Sequence, residues 1–180
     1  MCENKDIDRI LISEEELREI CKKLGEQISE DYKDKRLLLV SVLKGAVVFM
    51  ADILREITCE CKIDFMSVSS YDGAKTTGVV KFKKDLDINP DGYDILIIED
   101  ILDTGVTLAY LRKVLLDRNA ASIKICTLLD KPANRRSDIK ADYVGKVIPD
   151  EFVVGYGLDY DEKCRNLPFV GILSPEVYQK

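Results

Sequence analysis

The sequence predicts an α/β protein with a central, mainly parallel sheet flanked by helices. Three observations predict it. Two short segments, Arg36 to Leu43 and Asp94 to Asp100, each a continuous apolar run bounded by charges, read as strands buried on both faces, as strands of parallel sheets are. A segment of helical spacing follows each run, and another β-rich segment follows each helix, the order of strand–helix–strand crossovers. The strongest apolar stretch, Leu37 to Val42, is soon broken by Lys44-Gly45 and is far too short to span a bilayer.

The first ten residues are charged and lack the apolar segment of a leader peptide. Ser13-Glu14-Glu15-Glu16 has the pattern of a capping box. Leu17, Ile20, Cys21, Leu24 and Ile28 then recur on one face of a helix predicted over roughly 14–30. A strand at 36–43 ends at Lys44-Gly45, and helical spacing resumes from Ala46 to Ile57. Lys62 to Ser69 alternates and reads as a strand, and Ser70 to Gly78 is polar and glycine-containing, the composition of a mobile loop. Val79 to Lys84 reads as a strand, and Asn89-Pro90-Asp91-Gly92 as a turn. Asp94 to Asp100 is a buried strand. The helix after it is capped by Thr104 or Thr107 and shares Leu108, Leu111, Val114 and Leu115 on one face. Ser122 to Leu129 is a further strand, with short strands near 143–148, 152–154 and 169–173.

The 180 residues fit one domain, and 46% apolar with 33% charged residues suits a packed core under a solvated surface. A net charge of -6 argues against a long duplex-DNA interface, which needs a basic face. There is no histidine, which removes Ser-His-Asp and Cys-His catalysis and His-ligated zinc. Proton transfer near neutral pH then falls to a carboxylate, Lys, Tyr or Cys. The six cysteines form no C-x-x-C, and reduced thiols in a soluble, cytoplasmic protein are expected.

The chemistry concentrates between Ile95 and Leu108. An apolar strand ends in adjacent carboxylates, Glu99 and Asp100, and Asp103-Thr104-Gly105-Val106-Thr107 then opens a helix. That loop suits a phosphate monoester: glycine lets the backbone approach an anion, the threonines add donors, and the helix N-terminus adds free N–H groups and its dipole. It is not a Walker A loop, since no G-x-x-x-x-G-K-[ST] occurs. A carboxylate pair at the sheet's carboxyl edge can accept from vicinal ribose hydroxyls or hold Mg²⁺. Gly155-Tyr156-Gly157 begins like G-x-G-x-x-G, but Tyr160 stands at the third glycine and no strand-to-helix context fits, so dinucleotide binding is set aside. Arg135-Arg136 stays undecided between a phosphate and a subunit contact.

Residues 95–108 resemble the phosphoribosyl-pyrophosphate signature of the type I phosphoribosyltransferase family. Further segments are similar, in the family's order, to its hypoxanthine-guanine branch: Leu43-Lys44-Gly45, Ser70-Tyr71, Leu128 to Pro132, Ile148 to Tyr160, and Arg165. The resemblance implies the family's fold over 1–180, with a core at about 36–130 and a small hood from about 1–12 and 131–180. It implies purine salvage: a 6-oxopurine and phosphoribosyl pyrophosphate give a nucleoside monophosphate and pyrophosphate, with Mg²⁺, in a dimer or tetramer. It also implies site roles. Asp103 to Thr107 take the 5'-phosphate, Glu99 and Asp100 the ribose and metal, and Lys44, Gly45 and Arg165 the pyrophosphate. Lys131, Phe152, Val153 and Asp159 take the purine, and Ser70 and Tyr71 begin a lid loop.

The residue chemistry agrees with that assignment. With no histidine available, Asp103 is the candidate to exchange a proton with the purine imidazole ring. Lys131 donates to a purine O6 but would meet adenine's amino group donor to donor. Phe152 offers a flat face for a base, and the Val153 backbone can reach the purine edge. Asp159 either accepts from an exocyclic amino group or holds a second Mg²⁺. Two alternatives remain: a phosphoribosyltransferase preferring xanthine or another base, and a phosphoribosyl-pyrophosphate-sensing regulator. The acidic surface disfavours a regulator that binds nucleic acid.

Overall fold

Residues 6–70 and 80–178 are described by a computed structural model of the protein. The elements run β1 (Ile7–Ile12), α1 (Glu14–Asp31), β2 (Leu37–Leu43), α2 (Val47–Glu56), β3 (Cys61–Ser70), β4 (Val80–Lys84), β5 (Asp94–Leu102), α3 (Val106–Leu116), β6 (Ser122–Asp130), β7 (Tyr143–Val147), β8 (Val153–Val154), β9 (Val170–Leu173) and α4 (Pro175–Tyr178), with one 3-10 turn at Pro132–Asn134. Six strands form one sheet in the order β4-β3-β2-β5-β6-β7, parallel throughout except for β3–β4.

The apolar runs are continuous because each central strand feeds two cores. In β2, Leu37 and Leu39 join the cluster under α1 and α2, with Leu17, Leu24, Phe49 and Ile53. Leu38 and Val40 face the opposite cluster, with Leu108, Leu111 and Leu115 of α3. The two-residue period of a strand sorts alternate side chains to opposite faces, so a strand covered on both sides is apolar at nearly every position, with Ser41 the one buried polar residue of β2. The capping box forms as expected: Ser13 Oγ accepts from Glu16 N–H at 3.2 Å, and Glu16 Oε2 accepts from Ser13 N–H at 2.9 Å.

A second sheet, β1-β9-β8, joins the two ends of the described chain and packs on the α1–α2 core through Ile12, Val153, Val170 and Ile172. The sequence reading does not contain β1. Residues 7–12 lack clean alternation, Ile10 is exposed, and the strand exists through its antiparallel pairing with β9. The β5 strand runs two residues beyond Asp100, because Ile101 and Leu102 continue to pair with Leu129 and Asp130 of β6. Cys21, Cys59, Cys61 and Cys126 are free thiols, whereas Cys164 is disulfide-bonded, so the expectation of reduced cysteines fails at that position. Among the described residues no helix is long and apolar enough to cross a membrane.

Candidate active site

The carboxyl edge of the sheet carries the candidate chemistry. After β5, Asp103 and Thr104 lead to Gly105, whose φ of 74° makes it the left-handed N-cap of α3. Neither threonine caps the helix, contrary to expectation: the one side-chain contact is a long one, Val106 N–H to Thr104 Oγ1 at 3.5 Å. The first intrahelical bond is Ala109 N–H to Gly105 C=O at 2.9 Å. The N–H groups ahead of it have no carbonyl within the helix, which leaves them to an anion. Glu99, Asp103, Thr104, Gly105 and Thr107 line a small cavity of about 100 Å³ here.

A strut supports this cup from behind. Arg136 N–H donates to Thr104 C=O at 2.9 Å, and the Arg135 guanidinium donates to Leu102 C=O at 3.2 Å and pairs with Asp130. A Cβ on Gly105 would lie 2.5 Å from Ser137 Oγ and 2.6 Å from Ile139 Cγ2, so only glycine fits between cup and strut. The undecided Arg135-Arg136 pair thus holds the loop's carbonyls. Nothing in the sequence pointed there, because the partners lie some thirty residues upstream.

Glu99 and Asp100 lie half-buried in the last part of β5, beyond its pairing with β2, which ends at Ile98. Glu99 Oε2 is buried with no hydrogen-bond partner. Burial, and then the neighbouring Asp100, push its carboxyl well above the usual range. Burial also pushes Asp100 up to about 6, although it accepts from Ile101 N–H at 2.8 Å. Among the described residues no cluster of three or more acidic or sulfur ligands forms a metal cage. An orphaned carboxylate oxygen beside a second carboxylate still fits Mg²⁺, which takes one or two protein carboxylates and completes its shell with water and phosphate.

Behind this pair the backbone is packed tightly. The Leu43–Lys44 peptide is cis. A Cβ on Gly45 would lie 1.7 Å from Asp100 Oδ2, and one on Gly157 would lie 2.1 Å from the Gly45 carbonyl oxygen. The layers Asp100, Gly45 and Gly157 therefore stack with no room for a side chain. Arg165 closes the stack: its Nη1 donates to Gly157 C=O at 2.8 Å, and its Nη2 pairs with Asp159 at 2.8 Å. Lys44 Nζ reaches Glu162 Oε2 at 2.9 Å, and Arg165 Nη2 reaches the same oxygen at 3.4 Å. Two cations from distant parts of the chain thus converge on one carboxylate. Glu162 was not singled out in the sequence, where it is one of several acidic residues in a charged run.

At the other end of the cup, Lys131 is only 9% exposed and follows β6 directly. Its Nζ pairs with Asp150 at 3.2 Å and approaches Asp103 Oδ2 at 3.8 Å, while Asp103 Oδ1 is buried without a partner. Phe152 is 38% exposed rather than a core residue, and its ring stacks on Tyr178 of α4 at 5.1 Å. Val153 is buried in β8 opposite Ile172. Both Asp159 oxygens are engaged, one by Arg165 and one by Glu162 N–H at 2.9 Å. Ser70 ends β3, and Tyr71 and the loop after it lie outside the described residues.

A helix N-terminus, an acidic pair with one orphaned oxygen and converging cations on one sheet edge suit a phosphorylated sugar with a second anionic group. The sequence matches the phosphoribosyl transferase domain over residues 7–161. The chain belongs to this family. The matched span includes the β5–α3 segment, and the tight stack at Gly45 lies directly behind it. The chain is 54% identical to the hypoxanthine-guanine phosphoribosyltransferase of Staphylococcus epidermidis, covering 98% of this chain and 99% of that one. It is also 54% identical to the enzyme of that name from Bacillus subtilis, covering 97% of each chain. A crystal structure of a hypoxanthine phosphoribosyltransferase from Staphylococcus aureus superposes with a TM-score of 0.95 at 51% identity, covering 98% of this chain and 96% of that one.

Proposed function

We propose that this chain transfers the 5-phosphoribosyl group of phosphoribosyl pyrophosphate to hypoxanthine or guanine, giving IMP or GMP and pyrophosphate. It is an enzyme of purine salvage. The observation that carries this reading is the helix N-terminus opened by the left-handed Gly105 in the 103–107 loop, next to the orphaned Glu99 oxygen.

In the reaction the bond between the anomeric carbon and the pyrophosphate oxygen breaks, and a bond from that carbon to a purine ring nitrogen forms. The nitrogen's proton leaves to Asp103, whose unpartnered Oδ1 is free to take it. The cup holds the 5'-phosphate, and Glu99 and Asp100 hold the ribose hydroxyls, so that the carbon is presented in line. Lys44, the Gly45 backbone and Arg165 bind the departing pyrophosphate. Mg²⁺ held at Glu99 and Asp100, with Asp159 as an alternative ligand, would supply further positive charge to the pyrophosphate. Lys131 donates to O6, Phe152 stacks on the base, and Val153 offers its backbone to the purine edge. The β1-β9-β8 sheet is the hood over this edge, Ser70 and Tyr71 begin its lid, and the chain works as a cytoplasmic dimer or tetramer.

Incubation with phosphoribosyl pyrophosphate, Mg²⁺ and each of hypoxanthine, guanine, xanthine and adenine tests the reading through released pyrophosphate. Release with hypoxanthine and guanine, and none with adenine, is expected. Release with xanthine above both would move the assignment to that base, and silence with all four would remove it.

A further inference from the structure

The candidate pyrophosphate site is built from two pieces of chain that meet only in the folded protein. Lys44 and Gly45 lead into α2, whereas Arg165 belongs to the C-terminal segment. Their side chains meet at Glu162, and their backbones meet through Gly157, which lies against the Gly45 carbonyl and whose own carbonyl and N–H bond the Arg165 side chain and backbone at 2.8 and 3.0 Å. The turn that delivers Gly157 is unusual. Gly155, Tyr156 and Gly157 all have positive φ, at 95°, 51° and 99°. Glycines adopt this freely, but a bulky tyrosine does not, and such a residue persists only where its surroundings hold it.

Tyr156 is only 6% exposed, and its hydroxyl donates to Asp52 Oδ2 of α2 at 2.5 Å, a partner 104 residues earlier in the chain. A carboxylate only accepts, so the direction is settled, and the tyrosine oxygen is left to accept from Cys21 Sγ at 3.5 Å. The other Asp52 oxygen pairs with Arg55. The ring also packs in the core cluster with Cys21, Phe49 and Ile53, beside an outer cleft of about 640 Å³ lined by Tyr156, Asp52, Cys21 and Leu17 that reaches Arg165. The hydrogen bond adds a directional polar link between the turn and α2 to this packing, and α2 begins immediately after Lys44, Gly45 and Ala46.

Resting on the pyrophosphate role proposed for Lys44, Gly45 and Arg165, we infer that Tyr156 and Asp52 are positioning residues that hold the two halves of the pyrophosphate cradle in register. Neither touches substrate. They set where Gly157 lies, and Gly157 sets both the Gly45 backbone and the Arg165 guanidinium. The purine end and the 5'-phosphate cup have their own supports, Lys131 with Asp150 and the Arg135 strut, and do not depend on this link.

Steady-state kinetics in both directions test it with Tyr156→Phe, Asp52→Ala, Asp52→Asn, the Tyr156→Phe/Asp52→Ala pair and Arg165→Gln. Loss of a hydrogen bond to a charged group should raise KM for pyrophosphate and for phosphoribosyl pyrophosphate about tenfold in Tyr156→Phe and Asp52→Ala. KM for the purine base should stay put. The double variant should be no worse than either single one, since both cut the same link. Asp52→Asn keeps an acceptor oxygen and should fall between wild type and Asp52→Ala. Should Tyr156→Phe not fold, the Asp52 pair decides, because Asp52 sits at the rim of the cleft. A parallel rise in every KM, or no rise while Arg165→Gln does raise KM for pyrophosphate, overturns the positioning role and leaves the cradle standing. No rise even in Arg165→Gln removes the cradle assignment itself, and the positioning role with it.

Discussion

Asp64 and Glu99 are both carboxylates inside the central sheet, and their surroundings are opposite. Asp64 of β3 is 4% exposed and fully partnered: it accepts from the N–H groups of Phe65, Asp87 and Ile88 at 2.7–2.8 Å, and Lys84 lies 3.4 Å away. Burial acts to raise its carboxyl, but those donors outweigh burial and hold it below the usual range. Glu99 of β5 has a buried oxygen with no donor and another carboxylate beside it, and it is pushed upward. A buried charge costs several kcal/mol unless it is satisfied. Where the protein satisfies the charge itself, as at Asp64, the residue serves the fold. Where it leaves an oxygen open, as at Glu99 and Asp103, the proposed function supplies the partner: a substrate hydroxyl, a proton or a metal ion.

The contrast can be broken at several points. The largest effect belongs to the open group nearest the reacting atoms: Asp103→Asn should cut turnover by roughly 10–10⁴-fold, with phosphoribosyl-pyrophosphate binding and melting temperature close to wild type. Unchanged turnover, measured by pyrophosphate release, would return Asp103 to the fold. Asp64→Ala should do the reverse, costing about 3–5 kcal/mol of stability in denaturant unfolding while the folded fraction keeps its activity. A loss of activity without a loss of stability would abolish the distinction.

The pH dependence sharpens the same point. A group whose folded pKa is depressed stabilises the fold above its unfolded value, near 3.9 for Asp, and that contribution fades as pH falls through the depressed folded value. The stability gap between wild type and Asp64→Asn should therefore be full at neutral pH and shrink below about pH 4. A gap independent of pH down to the acid transition would mean that Asp64 is not held as a carboxylate. The smallest effect belongs to an exposed acid. Glu162 pairs with Lys44 and Arg165 where the leaving anion would lie. Glu162→Gln should lower KM for pyrophosphate by about twofold to fivefold, the scale of a surface ion pair. A higher KM would instead make Glu162 a support of the two cations.

Much of the fold was legible because its signals are local. The α1 capping box, the two-faced β2 and β5 runs and the Lys44-Gly45 break each sit within a few residues, and each forms as read. The turn from Asp103 to Thr107 was legible for the same reason: it is one contiguous stretch in which Gly105 opens the helix. The readings that failed depended on partners elsewhere. The threonine cap failed because Gly105 takes the N-cap, leaving the N–H groups open, and β1 was missed because β9 makes it a strand. The reduced-thiol expectation failed at Cys164 because pairing is decided by proximity in the fold, which spacing does not reveal.

The amino-acid order by itself determined the strand–helix alternation, the glycine turn that opens α3 and the absence of histidine chemistry, since periodicity, turn residues and composition act over short distances. Only the tertiary structure decided which carboxylates are satisfied and which are open, that Arg135 braces the cup, and that Lys44 and Arg165 meet at Glu162. It also decided that Gly45 and Gly157 must both be glycine, because their side-chain positions are filled by Asp100 and by backbone from the other end of the chain. The physical reason is common to all of these: hydrogen-bond satisfaction and close packing are properties of neighbours in space, and in this fold those neighbours lie tens to more than a hundred residues apart.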